Sequence, residues 1–183
     1  MKNIYLTSNG LDVRYKDSMN SYSQIIEVLK AKKVAIIPNA KLKTQDRTVS
    51  IVVAEQLKRH GIECSIFDLE KQSITELDKY NAIYFNGGEP KYLMDAIYNN
   101  NFYEIIKKFI EAGNVVIGQS AGAMIMNKEY GDTSTGEFLI SNNGFDFFDK
   151  IIIPHYDVLP EELKSKIPEN TFNVNDIDLL IKI

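Results

Sequence analysis

The sequence predicts an α/β protein: a three-layer sandwich with a mostly parallel sheet and helices on both faces. Three observations predict it. Short, wholly apolar runs such as Val34-Ala35-Ile36-Ile37 alternate with longer amphipathic segments. Apart from the alternating Ile62 to Phe67, the runs show no polar alternation, as expected of strands covered on both faces. Most end in a Gly-, Asn- or Pro-containing turn, the punctuation of strand-to-helix connections.

Taken in order, Ile4-Tyr5-Leu6-Thr7 reads as the first strand, stopped by Ser8-Asn9-Gly10. Ser21 to Leu29 sets Tyr22, Ile25, Ile26 and Leu29 at helical spacing. Val34 to Ile37 is the second strand, ended by Pro38-Asn39. Thr48 to Arg59 places Val49, Val52, Val53 and Leu57 on one helical face, and Gly61 stops it. Ile62 to Phe67 is a third strand, and Ala82 to Phe85 a fourth, running into Asn86-Gly87-Gly88. Tyr92 to Tyr98 and Phe102 to Glu111 read as helices. Val115-Val116-Ile117 is a strand entering Gly118-Gln119-Ser120-Ala121-Gly122. A polar stretch, Asp132 to Phe148, reads as a loop or small hairpin, and Ile151-Ile152-Ile153 is a last strand before Pro154-His155. Right-handed crossovers leave few topologies for this order, and ligands of such sheets bind outside the carboxyl ends of the strands. The turns at Gly87-Gly88, at 118–122 and at His155 are expected there.

Composition narrows the function classes. The 183 residues are expected to form a single domain, 1–183, with a full core. The net charge of −4 and scattered basic residues give a nucleic-acid partner no electrostatic support. No apolar run approaches the roughly 18 residues needed to span a bilayer, and the first residues read as a strand rather than a signal peptide. No membrane role and a cytoplasmic location are the expectations. The one cysteine, Cys64, falls in a strand-like run and reads as a buried structural thiol. One Cys with two His forms no metal cluster.

The pattern that carries chemistry is Gly118-x-Ser120-x-Gly122 between an apolar strand and a helix start. A sharp strand-to-helix turn lifts the serine hydroxyl out of the sheet, and glycines on either side remove side chains that would collide. The helix that follows aims backbone N–H groups at negative charge forming there. A serine nucleophile needs a base. His60, after Lys58-Arg59 and before Gly61, reads as an exposed helix terminus. His155, after an apolar strand at the edge where the elbow lies, is the candidate. The base needs a carboxylate to fix its tautomer. Glu129, Asp132, Glu137 and Asp157 are candidates, with Asp132 favoured for its place in the polar segment between Ser120 and His155. An oxyanion hole needs two N–H donors; Ala121 and Gly88 are the expected pair.

These motifs carry a resemblance. Asn86-Gly87-Gly88-Glu89-Pro90-x-x-Leu93, Gly118-Gln119-Ser120-Ala121-Gly122-Ala123 and Pro154-His155-Tyr156-Asp157, with Pro38-x-Ala40 after the second strand, resemble the serine peptidases related to aspartyl dipeptidase (peptidase E) and cyanophycinase, which share the class I glutamine amidotransferase-like fold. The resemblance runs from about Ile4 to Asp157. It implies Ser120 as nucleophile, His155 as base, an acidic partner best matched by Asp132, an oxyanion hole from Gly88 and Ala121, and neither metal nor organic cofactor. The implied substrate is a dipeptide or other short peptide, cleaved through an acyl-enzyme by a monomer or small homo-oligomer. The chain departs from the family in two respects. The histidine of aspartyl dipeptidases is followed by an arginine that pairs with the substrate's aspartate carboxylate, and none lies between His155 and Ile183. The part after Asp157 is also expected to be shorter than in relatives. The competing readings are a ligand-binding member that has lost catalysis, and a structural subunit of a larger amidotransferase.

Overall fold

The computed structural model describes residues 2–14, 19–42, 47–132, 135–178 and 180–183. The central sheet has six strands: β1 (Asn3–Thr7), β2 (Lys33–Ile37), β3 (Glu63–Ile66), β4 (Ala82–Phe85), β5 (Val115–Gln119) and the two-residue β10 (Ile181–Lys182). Their order is β10-β1-β5-β4-β2-β3. Every pair is parallel except β10, which closes the β1 edge antiparallel.

Period-two alternation divides β1, β2, β4 and β5 between two cores. In β2, Val34 and Ile36 face α1 (Met19–Leu29) and α2 (Thr48–Arg59), beside Ile25, Leu29, Val53 and Leu57. Ala35 and Ile37 face the opposite layer, with Ile83, Phe85 and Val116. That layer holds α3 (Pro90–Asn99), α4 (Tyr103–Glu111) and the short α5 (Ala121–Met124). Both faces are covered, which is why the runs read as unbroken apolar sequence. A 3-10 turn at Ile74–Lys79, absent from the sequence reading, leads into β4. Its Ser73 and Glu76 form a capping box.

The chain after α5 follows the expected plan in one part and departs from it in another. The polar stretch belongs to an antiparallel hairpin, as one of the two expectations had it, which starts two residues before Asp132: β6 (Tyr130–Asp132) and β7 (Glu137–Ser141). The apolar run at 151–153 does not join the main sheet. It forms β8 (Ile151–Pro154), paired in parallel with β9 (Thr171–Val174), in register Ile153↔Asn173 and Pro154↔Val174. Ile152 and Val174 turn into the main core, whereas Ile151 and Ile153 cover Phe138 of the hairpin. A 3-10 turn (Tyr156–Val158) and the single-turn α6 (Glu161–Lys164) connect β8 to β9. Among the described residues, no helix is long and apolar enough to cross a membrane. Cys64 lies buried in β3, as expected, and burial pushes its thiol pKa up, against a smaller opposing effect of Lys58. His60 is exposed and caps α2, its Nδ1 2.9 Å from the Gln56 carbonyl.

Candidate active site

The elbow is set by two close approaches. A Cβ on Gly118 would lie 2.4 Å from the Gly122 carbonyl oxygen, and one on Gly122 would lie 2.5 Å from the Phe85 Cβ. A side chain at Gly118 would force β5 and α5 apart, and one at Gly122 would force α5 away from β4. Between them Ser120 adopts φ 49°, ψ −108°, a conformation that costs a non-glycine residue about 1–3 kcal/mol. The surroundings hold it there: the Ser120 N–H donates to the Thr7 carbonyl at 2.9 Å, and its own carbonyl accepts from Ala123 and Met124. The helix that follows is four residues long, too short for a macrodipole. Any stabilisation of negative charge there comes from individual N–H groups.

His155 sits at the carboxyl end of β8 with φ 57°, in the left-handed region. Its Nε2 is 3.0 Å from Ser120 Oγ, and its Nδ1 is 2.5 Å from Asp176 Oδ1. Serine, imidazole and carboxylate thus form one hydrogen-bonded series across residues far apart in the chain. The histidine side chain is 29% exposed and the aspartate 12%, so a substrate can reach the first while the second is shielded from water.

The carboxylate on the ring is therefore Asp176, and the expectation of Asp132 is corrected. The reason is topological. Parallel pairing of β9 with β8 brings Val174 beside Pro154, so the turn after β9 emerges at the same end as the turn after β8. Asp132, at the end of β6, reaches the cavity wall instead. Glu129 is exposed ahead of β6, and Glu137 is exposed at the start of β7. Asp157, the remaining candidate, is exposed beyond His155, and its Oδ1 accepts the Asp176 N–H at 2.8 Å. A signal for Asp176 was present: Thr171-Phe172-Asn173-Val174 is a short strand pattern followed by an Asn-Asp turn, as after the other strands. Asp176 lies beyond Asp157, where the motif resemblance ends.

The β4 turn lies against the elbow. A Cβ on Gly87 would sit 3.2 Å from Ser120 Cβ, and one on Gly88 would lie 2.3 Å from the Ala40 carbonyl oxygen. Gly88 holds φ 146°, open in practice only to glycine. The Glu89 N–H is spent on Ala40 O at 2.7 Å. The N–H groups of Gly88 and of Ala121, the first residue of α5, have no hydrogen-bond partner among the described residues.

These elements enclose a cavity of about 280 Å³ that includes Ser120 and His155. Its walls carry both signs of charge: Arg14 and Lys41 on one hand, Asp12, Glu89 and Asp132 on the other. Arg14 makes a two-point contact with Asp12, at 2.7 Å from both Nε and Nη2. Burial raises the Glu89 pKa, Asp132 raises it further, and Lys41 opposes both. The loop after β1 forms one wall, pinned by a buried relay. Tyr84 Oη accepts the Leu11 N–H at 2.9 Å and donates to Gln119 Oε1 at 3.1 Å, while Gln119 Nε2 donates to Asn9 O at 2.9 Å. Among the described residues, no group of three or more His, Cys, Asp or Glu is placed to hold a metal ion.

A parallel α/β sheet presenting a strained serine, an imidazole and a carboxylate in hydrogen-bonded sequence has the layout of a serine hydrolase. The sequence profile of peptidase family S51 matches residues 4–183. The chain belongs to that family of serine peptidases. Among curated proteins it is similar to an uncharacterized peptidase of Listeria monocytogenes, 28% identical over 180 residues, covering 91% of this chain and 84% of that protein. An uncharacterized peptidase of Pasteurella multocida is 25% identical over 170 residues, covering 87% and 80%. The fold matches a Listeria monocytogenes crystal structure provisionally assigned to peptidase E, with TM-score 0.79 and 24% identity, over 100% of this chain and 94% of that one. It also matches a peptidase from an acI-B1 actinobacterium, with TM-score 0.66 and 20% identity, over 98% and 84%.

Proposed function

We propose that the chain hydrolyses a dipeptide or other short peptide through an acyl-enzyme on Ser120. The observation that carries the proposal is the 3.0 Å separation of His155 Nε2 from Ser120 Oγ, with Asp176 on the far nitrogen. Asp176 fixes the tautomer with hydrogen on Nδ1, so Nε2 has its lone pair toward the hydroxyl. As Oγ bonds to the substrate carbonyl carbon, its proton passes to Nε2. The carbonyl π pair moves onto oxygen, which the Ala121 and Gly88 N–H groups receive. Collapse re-forms the carbonyl, breaks the C–N bond and returns the proton from Nε2 to the departing amine. Water, deprotonated by the same nitrogen, then releases the acid and regenerates Ser120.

Size and charge support a short substrate. A cavity of about 280 Å³ fits one or two residues, and walls of both signs suit a zwitterion carrying an ammonium and a carboxylate. With no arginine after His155, the cavity's cations Arg14 and Lys41 come from the turns after β1 and β2. Neither reproduces the arrangement implied for aspartyl dipeptidases, so aspartate selectivity is not part of the proposal. The test is labelling with a fluorophosphonate probe, together with hydrolysis of a dipeptide panel. The parent is expected to label at Ser120 and to turn over, and Ser120→Ala to do neither while keeping its fold. A folded parent that neither labels nor hydrolyses any dipeptide would support the ligand-binding reading instead.

A further inference from the structure

We infer that Ser8 is a positioning residue that locks the histidine and the carboxylate of the site into one unit; the inference rests on the reading of Ser120, His155 and Asp176 given above. Ser8 directly follows β1, next to the strand that also anchors the elbow, and its residue is 1% exposed. Its hydroxyl makes two hydrogen bonds across the longest sequence separations at the site. Oγ accepts the His155 backbone N–H at 3.0 Å and donates to the Val174 carbonyl at 2.9 Å. One hydroxyl thus joins the end of β8 to the end of β9, at the point where both strands deliver their functional side chains.

This placement matters because the strained histidine depends on long-range contacts, and the carboxylate must be kept in register with it. His155 is a non-glycine residue in the left-handed region, a conformation that persists only when its surroundings over-determine it. Asp176 lies two residues beyond Val174, in a turn closed by the Asn175 N–H to Asp178 Oδ2 bond at 2.7 Å. β8 and β9 form a sheet of their own, outside the six-stranded core. The imidazole must nonetheless meet a serine fixed to that core, whose own N–H is bonded to Thr7, the residue before Ser8. Residues 7 and 8 therefore grip both halves of the series: the Thr7 carbonyl holds the nucleophile, and the Ser8 hydroxyl holds the backbone of the base and the end of the strand that delivers the carboxylate. Ser8 lines the same cavity, but its hydroxyl is bonded to backbone groups while the ring nitrogens are bonded to Asp176 and Ser120, so it acts through backbone geometry and takes no part in proton transfer.

The test is Ser8→Ala in the full chain, with two readouts. The first is the rate of Ser120 modification by a fluorophosphonate, scaled to the folded fraction by circular dichroism. Displacing a reacting group by an ångström costs up to about a hundredfold, and a fall of at least about tenfold is expected. The second is the ring-nitrogen NMR shifts of His155, for which His60, the only other histidine, is an internal reference. The His155 shifts are expected to move and the His60 shifts to stay. Ser8→Cys, which keeps a weak donor and lone pairs at similar volume, is expected to fall between the two and is read the same way if Ser8→Ala does not fold. An unchanged labelling rate, or unchanged His155 shifts, overturns the inference. If the parent itself does not label, the proposed function fails, and the NMR comparison alone decides the role of Ser8.

Discussion

Asp176→Asn separates the observed site from the one expected from sequence. The substitution keeps size and shape, but the amide can offer its NH₂ to Nδ1, now 2.5 Å from Oδ1. Nδ1 then becomes the acceptor, the ring hydrogen moves to Nε2, and the nitrogen 3.0 Å from Ser120 Oγ no longer has a lone pair for the proton. The carboxylate that would balance the imidazolium formed during attack is lost as well. In triads of this geometry the change lowers kcat by about 10⁴-fold, equivalent to about 5 kcal/mol of barrier. The 12% exposure of Asp176 leaves little room for water to take over. The expectation is thus a fall of about 10³ to 10⁴ in kcat on whichever dipeptide the parent hydrolyses, with KM little changed. Asp132→Asn is the matched control. Asp132 shares the cavity wall with Glu89 and raises its pKa, so its loss is expected to act mainly on KM. Steady-state kinetics of both variants, with circular dichroism to verify folding, decide the matter. Near-normal kcat in Asp176→Asn alongside a collapse in Asp132→Asn would refute the assignment.

Two further outcomes concern stability. Gly122→Ala places a methyl 2.5 Å from Phe85 Cβ, and urea melts are expected to show a loss of about 3 kcal/mol. Gly61→Ala meets nothing within 4 Å and suffers only its φ of 71°, so its loss is expected to be about 1 kcal/mol. Asp68 carries a pH-dependent share of stability. Burial by itself would raise its pKa, but hydrogen bonds from Asn39 and the Glu70 N–H and the Arg47 guanidinium outweigh that and hold it below its ordinary 3.8. A carboxyl lowered on folding stabilises the protein above its unfolded pKa, and the benefit is lost as pH falls through the folded one. The urea midpoint of Asp68→Asn is therefore expected below the parent's at neutral pH, with the gap closing as pH drops beneath 3.8. A gap of constant size from neutral to acid would contradict this.

Much of the architecture was legible residue by residue. Val34 to Ile37 and Ala82 to Phe85 read as strands because burial on both faces leaves no polar position in them. The elbow was legible for a related reason: where backbones approach so closely, only glycine fits, so Gly118 and Gly122 mark the turn in the sequence itself. Ser120 and His155 followed from it, one by motif and the other because the chain has only two histidines. The last third was less legible. β10 has two residues and carries no periodic signal, and the alternation of the four-residue, partly exposed β9 is too short to name its pairing partner.

Local chemistry, written into the order of residues, thus determined the parallel sheet, the serine turn and the imidazole. The partners that depend on register came from tertiary structure alone. Whether β8 joins the main sheet or pairs with β9 is decided by long-range hydrogen bonding and by which face of Ile151 to Ile153 finds a core. That pairing carried Asp176 to the imidazole and left Asp132 on the cavity wall. A carboxylate looks the same in sequence wherever it stands, and only its position in space gives it a histidine to hold.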